Sequence, residues 1–192
     1  LNAAAFYYDY TDLQVQSFLT PGVIDITNAA DATVKGFEVE LTARPVQGLD
    51  IGATLAHLDA TYKSYPEAPV TGGFVDASGN RLSSAPKWNY SLYGQYTHEL
   101  GDRGEVYIRG EYSHRTRQYF TVLNDAIQTQ GNYDLLNASV GYATADGDWQ
   151  VILYGRNLAD EQYIVSSGSF TAGPAGRPGE PRTYGLRLVY TY

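Results

Sequence analysis

Residues 88–100 read WNYSLYGQYTHEL, and apolar and polar side chains alternate along most of this stretch. One set of alternate positions is largely apolar: Trp88, Tyr90, Leu92, Gly94, Tyr96 and Leu100. The intervening positions are mostly polar: Asn89, Ser91, Gln95, Thr97 and Glu99. Side chains of a β-strand point alternately to the two faces of a sheet, so this period of two predicts a strand with one apolar and one polar face.

The same period runs through the rest of the chain, and signals for helices are poor. Turn-forming residues divide the sequence into eight predicted strands, at 3–19, 33–44, 49–65, 86–99, 105–120, 132–143, 149–165 and 182–192. The alternation slips near Thr11–Asp12 and again within 49–62, where Leu55 and Leu58 fall in opposite phases. A β-bulge at each place would explain both slips. The fold class predicted is therefore all-β and antiparallel.

Composition excludes several classes of protein. The 192 residues carry a net charge of −8, and such an acidic balance argues against a nucleic-acid partner. The chain has no cysteine, so it has no disulfide framework and no thiolate site for a metal. No apolar run approaches the roughly 18 residues of a membrane helix. The sequence also lacks methionine and begins at Leu1, so we expect a processed or excised piece of a longer protein.

The connections between predicted strands alternate in length. Three are tight, around 45–48, 101–104 and 145–148, and four are long, around 20–32, 66–85, 121–131 and 166–181. In an antiparallel sheet the tight turns then share one end and the long loops share the other. Strands of about 12–17 residues, with this asymmetry, are typical of a transmembrane β-barrel of the outer-membrane type.

Tyrosine is unusually frequent, with 18 residues in a chain of mean hydropathy −0.32. Placed on the predicted strands, many aromatic residues form two bands, which is the pattern of a membrane interface. The band near the tight turns contains Tyr8, Tyr107, Tyr142, Trp149, Tyr190 and Tyr192. The band near the long loops contains Tyr62, Tyr65, Trp88, Tyr90, Tyr112, Tyr119, Tyr133, Tyr163 and Tyr184.

Charged residues are expected on the face opposite the apolar one. The candidates are Lys35, Glu38, Glu40, Arg109, Glu111, Arg115, Arg117, Arg156 and Arg187. In a soluble barrel this face would meet water, whereas in a large membrane barrel it would line a wet or plugged lumen. Alternation alone does not separate the two arrangements; loop asymmetry, strand length and the aromatic bands favour the membrane barrel.

Several stretches in order resemble the C-terminal part of the barrel of TonB-dependent outer-membrane receptors. They are 34–45, from VKGFEVE to the Arg-Pro pair; 49–62, ending in LDATY; 82–88, LSSAPKW; 133–137, YDLLN; 149–163, containing GRNLADEQY; and a last strand that ends on the aromatic Tyr192. Each is weak alone, but six in order across most of the chain are specific.

The resemblance implies that residues 1–192 are a single segment, about eight strands, of a 22-stranded barrel in the outer membrane of a Gram-negative bacterium. It further implies energised uptake of a scarce small-molecule ligand, such as iron-siderophore, cobalamin or a carbohydrate. The partners implied are outer-membrane lipid, and a plug domain and the energy-coupling protein TonB, both engaged through an N-terminal part that is absent from this sequence. No cofactor and no enzymatic activity are implied.

Candidate ligand-facing residues are Arg115, Arg117 and Tyr119, which share one phase near the loop end of their predicted strand. Arginine offers a planar fork of donors to an anionic ligand. The alternative is that these arginines form salt bridges to neighbouring strands or to the plug. We find no catalytic constellation, and His57, His98 and His114 lie at no metal-ligand spacing, so no metal site is predicted.

Two other architectures remain open from the sequence. One is a self-contained eight-stranded binding barrel, either in the outer membrane or lipocalin-like, and the other is an outer-membrane enzyme that lacks a recognisable nucleophile. Strand pairing distinguishes the first from a barrel segment. In a segment, strands 3–19 and 182–192 do not pair and the sheet is an open arc, whereas in a complete barrel they form a closed ladder.

Overall fold

A computed structural model describes residues 1–20, 23–70, 72–170 and 173–191. The strands are β1 Asn2–Thr20, β2 Val23–Val46, β3 Leu49–Ser64, β4 Ala68–Val70, β5 Gly73–Val75, β6 Trp88–Glu99, β7 Glu105–Arg115, β8 Gln118–Tyr119, β9 Thr129–Gln130, β10 Tyr133–Ala143, β11 Trp149–Arg156, β12 Ile164–Phe170, β13 Gly173–Pro178 and β14 Thr183–Tyr190. Within these ranges no helix is long and apolar enough to cross a membrane. The all-β prediction is confirmed.

Eight of the strands form one antiparallel sheet in the order β1-β2-β3-β6-β7-β10-β11-β14. Three two-stranded sheets, β4–β5, β8–β9 and β12–β13, lie in the connections between them. β1 and β14 stand at opposite edges and do not pair in the described part of the chain. The predicted open arc is therefore confirmed, and the self-contained closed barrel is wrong for this chain.

Cross-strand register gives the sheet one apolar and one polar face. A single rung across six strands shows the apolar face: Leu49, Tyr96, Ile108, Val140, Leu153 and Leu186. The next rung shows the polar face: Asp50, Gln95, Arg109, Ser139, Tyr154 and Gly185. Leu186 remains 69% exposed and Leu153 60% exposed, so the described residues leave this part of the apolar face uncovered. Such a face suits lipid contact.

The three tight turns lie at one end of the sheet, as predicted, and we call this the short-turn end. Gly48 and Gly147 adopt positive φ angles of 79° and 78° there, which glycine accepts without strain. The opposite end of the strands, where the long connections lie, is the long-loop end. The loop predicted at 20–32 is wrong, because β1 continues to Thr20 and β2 begins at Val23. The other long connections hold the small hairpins.

Two predicted strands end earlier than their alternation suggested. β7 ends at Arg115: the N–H of Thr116 still donates to the carbonyl of Trp88 on β6 at 3.0 Å, but the N–H of Trp88 donates to the Thr116 hydroxyl at 2.9 Å. β11 ends at Arg156, because Asn157 takes a positive φ of 46°. In both cases a polar side chain offers the backbone an alternative to the ladder.

The aromatic bands are partly confirmed. On the apolar face, the short-turn end carries Tyr142, Trp149 and Tyr190, and the long-loop end carries Trp88, Tyr90, Tyr112 and Tyr184. Tyr107 lies at the predicted end but on the polar face, and Tyr8 also lies on the polar face. Four others lie at the predicted long-loop end but pack among the loops, so their place in a lipid-facing band is wrong: Tyr62, Tyr65, Tyr133 and Tyr163. Tyr119 belongs to the β8–β9 hairpin, and Tyr192 lies outside the described residues.

Tyr107 faces inward because glycine opposes it. It pairs directly with Gly141, and its ring covers the space that a side chain would fill there. Tyr93 covers Gly52 and Tyr154 covers Gly185 in the same way, each directly opposite its glycine on the polar face. These three tyrosine–glycine pairs occur at the β7–β10, β3–β6 and β11–β14 seams.

A small hydrophobic core lies at the long-loop end on the polar side of the sheet. Its buried members are Val15, Ala30, Ala32, Tyr62, Tyr65, Ala68 and Ala77. Tyr62 and its neighbour Leu58 are apolar residues on the polar face because this end is covered by the 65–87 connection. The bulge predicted within 49–62 is therefore wrong: the β2–β3 register runs unbroken from Ile51 to Tyr62, past both Leu55 and Leu58. The bulge predicted near Thr11–Asp12 is confirmed by a register shift and by a φ of 53° at Asp12.

Candidate functional site

Arg115, the last residue of β7, lies on the polar face at the long-loop end. It shares a rung with Asn89 of β6 and Tyr133 of β10. The guanidinium carbon lies 6.0 Å from the centre of the Tyr133 ring. Tyr133 in turn stacks on Tyr163, with ring centres 4.6 Å apart and planes inclined by 15°. The arginine therefore lies beside a stacked aromatic pair, of which Tyr133 is buried.

Arg117 and Tyr119 do not continue this row. The N–H of Arg117 donates to Oδ1 of Asn132 at 2.8 Å, and its side chain is exposed on the loop. Tyr119 pairs with Thr129 in the β8–β9 hairpin, and its carbonyl accepts the N–H of Ser84 at 2.7 Å. The shared phase predicted for the three residues thus ends at Arg115. Contact of the three with a ligand stays a prediction.

A cavity of about 300 Å³ opens beside Arg115. Its lining includes Phe6, Glu38, Pro86, Asn89 and Gln118, which combine aromatic, carboxylate and amide groups. Gln118 is only 5% exposed and was not predicted as a site residue. Strict alternation continued past Thr116 gives Gln118 the phase opposite to that of Arg115, and so leaves Gln118 out of the predicted site. The end of β7 at Arg115 is the signal that would have found Gln118.

A second cavity of about 300 Å³ lies lower on the polar face, lined in part by Arg109, Glu111, Asn137, Tyr154, Arg156 and Arg187. Nε of Arg109 donates to Glu111 Oε1 at 2.7 Å, and its guanidinium lies 4.2 Å from the centre of the Tyr93 ring. These charges lie on the predicted face, together with Glu38 and Glu40. The cavity itself is lined by three arginines and one glutamate, so its lining is net positive.

The prediction for Lys35 is wrong. It pairs with Tyr7 and Asp59 on the apolar face, in phase with Phe37, and its ammonium lies 3.4 Å from Oδ2 of Asp59. Lys35 lies at the long-loop end of β2, beyond the part of the apolar face that would meet the hydrocarbon of a membrane, so a charge is tolerated there.

Side-chain-to-backbone hydrogen bonds join the loops above the first cavity. Asn124 both donates to the carbonyl and accepts from the N–H of Arg81, at 2.9 Å and 2.8 Å. Arg81 donates to the carbonyls of Leu58 and Ala85. Asn80 donates to the carbonyl of Val122 at 2.9 Å. The 76–87 and 119–132 connections therefore form one joined surface over the polar face.

Asn157 organises the third long connection. It is 3% exposed, and its amide donates to the carbonyls of Glu161 and Glu180 at 2.9 Å and 3.0 Å. Its Oδ1 accepts the N–H of Glu161 at 2.9 Å. Sequence reasoning placed Asn157 in a motif but assigned it no role, because the partner Glu180 is distant in the chain. The bonds fix both ends of the segment that carries β12 and β13.

Two carboxylates at the ends of the sheet accept hydrogen bonds from their own turn or loop and so stabilise its local conformation. At the short-turn end, the hydroxyl of Thr144 and the N–H of Asp148 donate to Asp146, and these bonds lower the pKa of that carboxyl. At the long-loop end, the hydroxyl and N–H of Ser78 lower the pKa of Asp76 in the same way. In the described ranges no three His, Asp or Glu side chains gather as a metal site would require.

Comparison with known proteins agrees with this geometry. The family model described as "TonB dependent receptor-like, beta-barrel" matches residues 1–158. Among solved structures, the ferric yersiniabactin uptake receptor FyuA of Yersinia pestis superposes with a TM-score of 0.79 at 20% identity, covering 99% of this chain and 27% of that protein. The siderophore receptor PiuA of Acinetobacter baumannii gives 0.74 at 21% identity, with 97% and 25% covered. The copper transporter OprC gives 0.72 at 14% identity, with 99% and 28% covered.

The chain thus spans about a quarter of the length of these structures, which at such identities establish the fold. Homologous receptors are outer-membrane β-barrels of Gram-negative bacteria, and they act as transporters rather than enzymes. The family match covers seven of the eight strands of the large sheet and the residues that resembled such receptors up to Leu158. The chain belongs to the TonB-dependent receptor family, and its eight-stranded sheet is an arc of the family's β-barrel.

Proposed function

We propose that this chain is the C-terminal segment of the barrel of an outer-membrane receptor that takes up a ferric siderophore. Residues 1–192 form one segment, the remaining strands complete a barrel of 22, and a plug domain and TonB act through another part of the protein. The two free edges of the sheet support this, because β1 and β14 each need a neighbouring strand.

Arg115 in a cavity that Phe6 also lines is the observation that carries the choice of ligand. A ferric siderophore presents anionic oxygen groups and, in many chemical classes, aromatic rings. The Arg115 guanidinium supplies planar donors to such oxygens, and the Phe6 ring in the lining of the same cavity supplies an aromatic surface. Cobalamin or a neutral sugar makes less use of this combination. The names of FyuA and PiuA, a ferric yersiniabactin receptor and a siderophore receptor, agree with the choice.

The chain's contribution to uptake is capture. The joined 76–87 and 119–132 loops, with Arg117 and Tyr119 at their edge, would form the entrance, and Arg115 would receive the ligand at the top of the lumen. Nearer the short-turn end, Arg109 is already paired with Glu111, so this part of the face would bind the ligand more weakly and let it move on once the plug opens.

The experiment uses the complete receptor in detergent, with ferric catecholate, ferric hydroxamate, cobalamin and maltodextrin as separate probes. We expect one ferric complex to quench tryptophan fluorescence, and Arg115→Gln to weaken its binding about tenfold, as loss of a charge-assisted bond predicts. Arg103→Gln, at an exposed arginine in a tight turn, is the matched control.

Binding of cobalamin or maltodextrin alone would contradict the ligand class. An equal effect of the Arg115 and Arg103 substitutions would contradict the site. Deleting residues 166–176, which removes most of the β12–β13 hairpin but keeps the Asn157–Glu180 bond, should reduce affinity more than folding. Equal loss of both would show that the hairpin is structural.

A further inference from the structure

Glu38 of β2 lies on the polar face in the same rung as Arg115. The rung runs from Glu38 through Ala56 and Asn89 to Arg115, on four neighbouring strands. Neighbouring strands lie about 4.8 Å apart, so the Cα atoms of the two charged residues are about 14 Å apart. Both residues line the cavity beside Arg115, with the small side chain of Ala56 between them. The cavity therefore has a carboxylate on one side and a guanidinium on the other.

The carboxylate of Glu38 has no cation beside it on this face. Its direct partners across the strands are Ala4 and Ala56, and its neighbours along β2 on the same face are Gly36 and Glu40. The diagonal neighbours on β1 and β3 are also uncharged: Asn2, Phe6, Thr54 and Leu58. Within the described ranges Glu38 takes part in no ion pair and no side-chain hydrogen bond, so its negative charge is available to a bound group.

An aromatic ring stands next to this carboxylate. Phe6 pairs with Gly36, and a Cβ added at Gly36 would lie 2.9 Å from Cζ of Phe6, so the ring leans over β2. The ring also stacks on Tyr8, with centres 5.7 Å apart and planes inclined by 29°. Carboxylates and aromatic rings both attract ammonium groups. Glu38 and Phe6 together therefore suit a cationic group better than a neutral one.

Gln118 shows that the cavity is built for a polar occupant. It lines the cavity from the β8–β9 hairpin and is 5% exposed, yet its side-chain amide makes no hydrogen bond to any described residue. The hairpin itself is held in place, because the partner of Gln118, Gln130, accepts the N–H of Ile164 at 2.7 Å. A buried amide without a partner costs free energy, and an amide or hydroxamate group in the cavity would satisfy it.

We propose that this cavity selects ferric siderophores that carry a free ammonium group as well as anionic chelating oxygens, and that Glu38 determines this specificity. The inference rests on the proposed function, in which the same cavity receives the ligand. Arg115 binds the chelating oxygens, Glu38 and Phe6 bind the ammonium group, and Gln118 bonds to the ligand backbone between them. A ferric complex without a cation desolvates the carboxylate of Glu38 and gives it no partner, so it binds more weakly.

The test uses the complete receptor in detergent and measures the quenching of tryptophan fluorescence. The probes are a linear ferric trihydroxamate and a ferric tricatecholate, each with a free terminal ammonium, with that nitrogen acetylated, and with it succinylated to carry a carboxylate. In the chelate class that binds, we expect the ammonium form to bind about tenfold more tightly than the acetylated form, as one charge-assisted contact predicts. Glu38→Gln should remove this difference by weakening the ammonium form alone. Glu40→Gln is the matched control, because Glu40 lies on the same face of β2 but outside the cavity, and it should leave the difference unchanged.

Charge reversal keeps the test independent of folding. Glu38→Lys should bind the succinylated form more tightly than the wild type does, a gain that misfolding does not produce. Equal binding of the ammonium and acetylated forms by the wild type would overturn this inference and leave the ferric-siderophore function standing, whereas failure of every ferric complex to bind would overturn both. Equal weakening of the two forms by Glu38→Gln, the result expected of a residue that only holds the plug, would also overturn the inference, as would an equal effect of Glu40→Gln.

Discussion

The tyrosine–glycine pair at the β7–β10 seam allows a sharp test of how the polar face is packed. A Cβ added at Gly141 would lie 2.7 Å from the Tyr107 hydroxyl oxygen, with two ring carbons nearer still. Carbon atoms pack at about 3.5–4.0 Å, so Gly141→Ala must push the ring off the neighbouring strand. Overpacking of this kind costs about 1–3 kcal/mol.

Gly110 provides the matched control in the same ladder. It pairs with Ala138 on the apolar face, and a Cβ there meets nothing within 4 Å. Gly110→Ala should therefore be neutral or stabilise the barrel by about 0.4–1 kcal/mol, because alanine restricts the unfolded chain. The two substitutions add the same methyl group to the same seam and should differ by about 2 kcal/mol.

The measurement is the urea concentration at which the complete receptor loses its compact, heat-modifiable mobility on a gel. Gly141→Ala should lower this midpoint, and Tyr107→Ala should relieve the effect, so that the double variant costs less than the sum of the single ones. Equal midpoints for the Gly141 and Gly110 variants, or strict additivity with Tyr107→Ala, would refute the packing argument.

Three further predictions follow from the turns, the loops and the edges. Asn157→Ala should destabilise the 157–182 connection by about 2 kcal/mol, because it unpairs buried backbone groups; trypsin should then cleave faster after Arg182, whereas Asn132→Ala, at an exposed residue, should leave cleavage at Arg182 unchanged. The pKa of Asp146 is lower in the folded protein, so the stabilisation by its carboxylate is complete above the unfolded pKa of about 4 and is lost as the pH falls through the folded pKa. The urea midpoints of the wild type and Asp146→Asn should therefore differ at pH 7 and converge in acid. A difference that stays constant with pH would contradict this. Residues 1–192 expressed alone should aggregate in detergent through the free edges of β1 and β14, and light scattering from a monodisperse, heat-resistant monomer would contradict it.

Local patterns predicted those parts of the fold that depend on near neighbours. Alternation and turn residues located the eight strands and the three tight turns, and the slip near Thr11–Asp12 indicated a true bulge. Errors arose where residues distant in the chain determine which face or environment a side chain occupies. Lys35 was assigned a face by its charge, although its parity with Phe37 gives the correct one, and Leu58 suggested a bulge because the core that covers it comes from another connection.

The candidate site shows the same division. Arg115 could be placed from its phase alone, but the loss of Arg117 and Tyr119 from the row depends on bonds between Thr116 and Trp88, 28 residues apart. The cavity beside Arg115 depends on Phe6 and Pro86, which only the assembled sheet and its loops bring together. No single-strand pattern contains that information.

The bulge at Asp12 has a consequence for how such a wall can change over time. Below it, odd-numbered residues of β1 such as Tyr7 face lipid; above it, Leu13 and Val15 turn to the inner core instead. Because of this extra residue, the side-chain phase of β1 above Asp12 is set independently of the phase of the lipid-facing residues below it. Paired insertions above Asp12 would lengthen the receptor's outer rim while leaving the membrane belt in register. A single insertion in β1 below it would turn the β1 side chains between the insertion and the bulge from the lipid face into the lumen, so length variation among relatives should gather above this point.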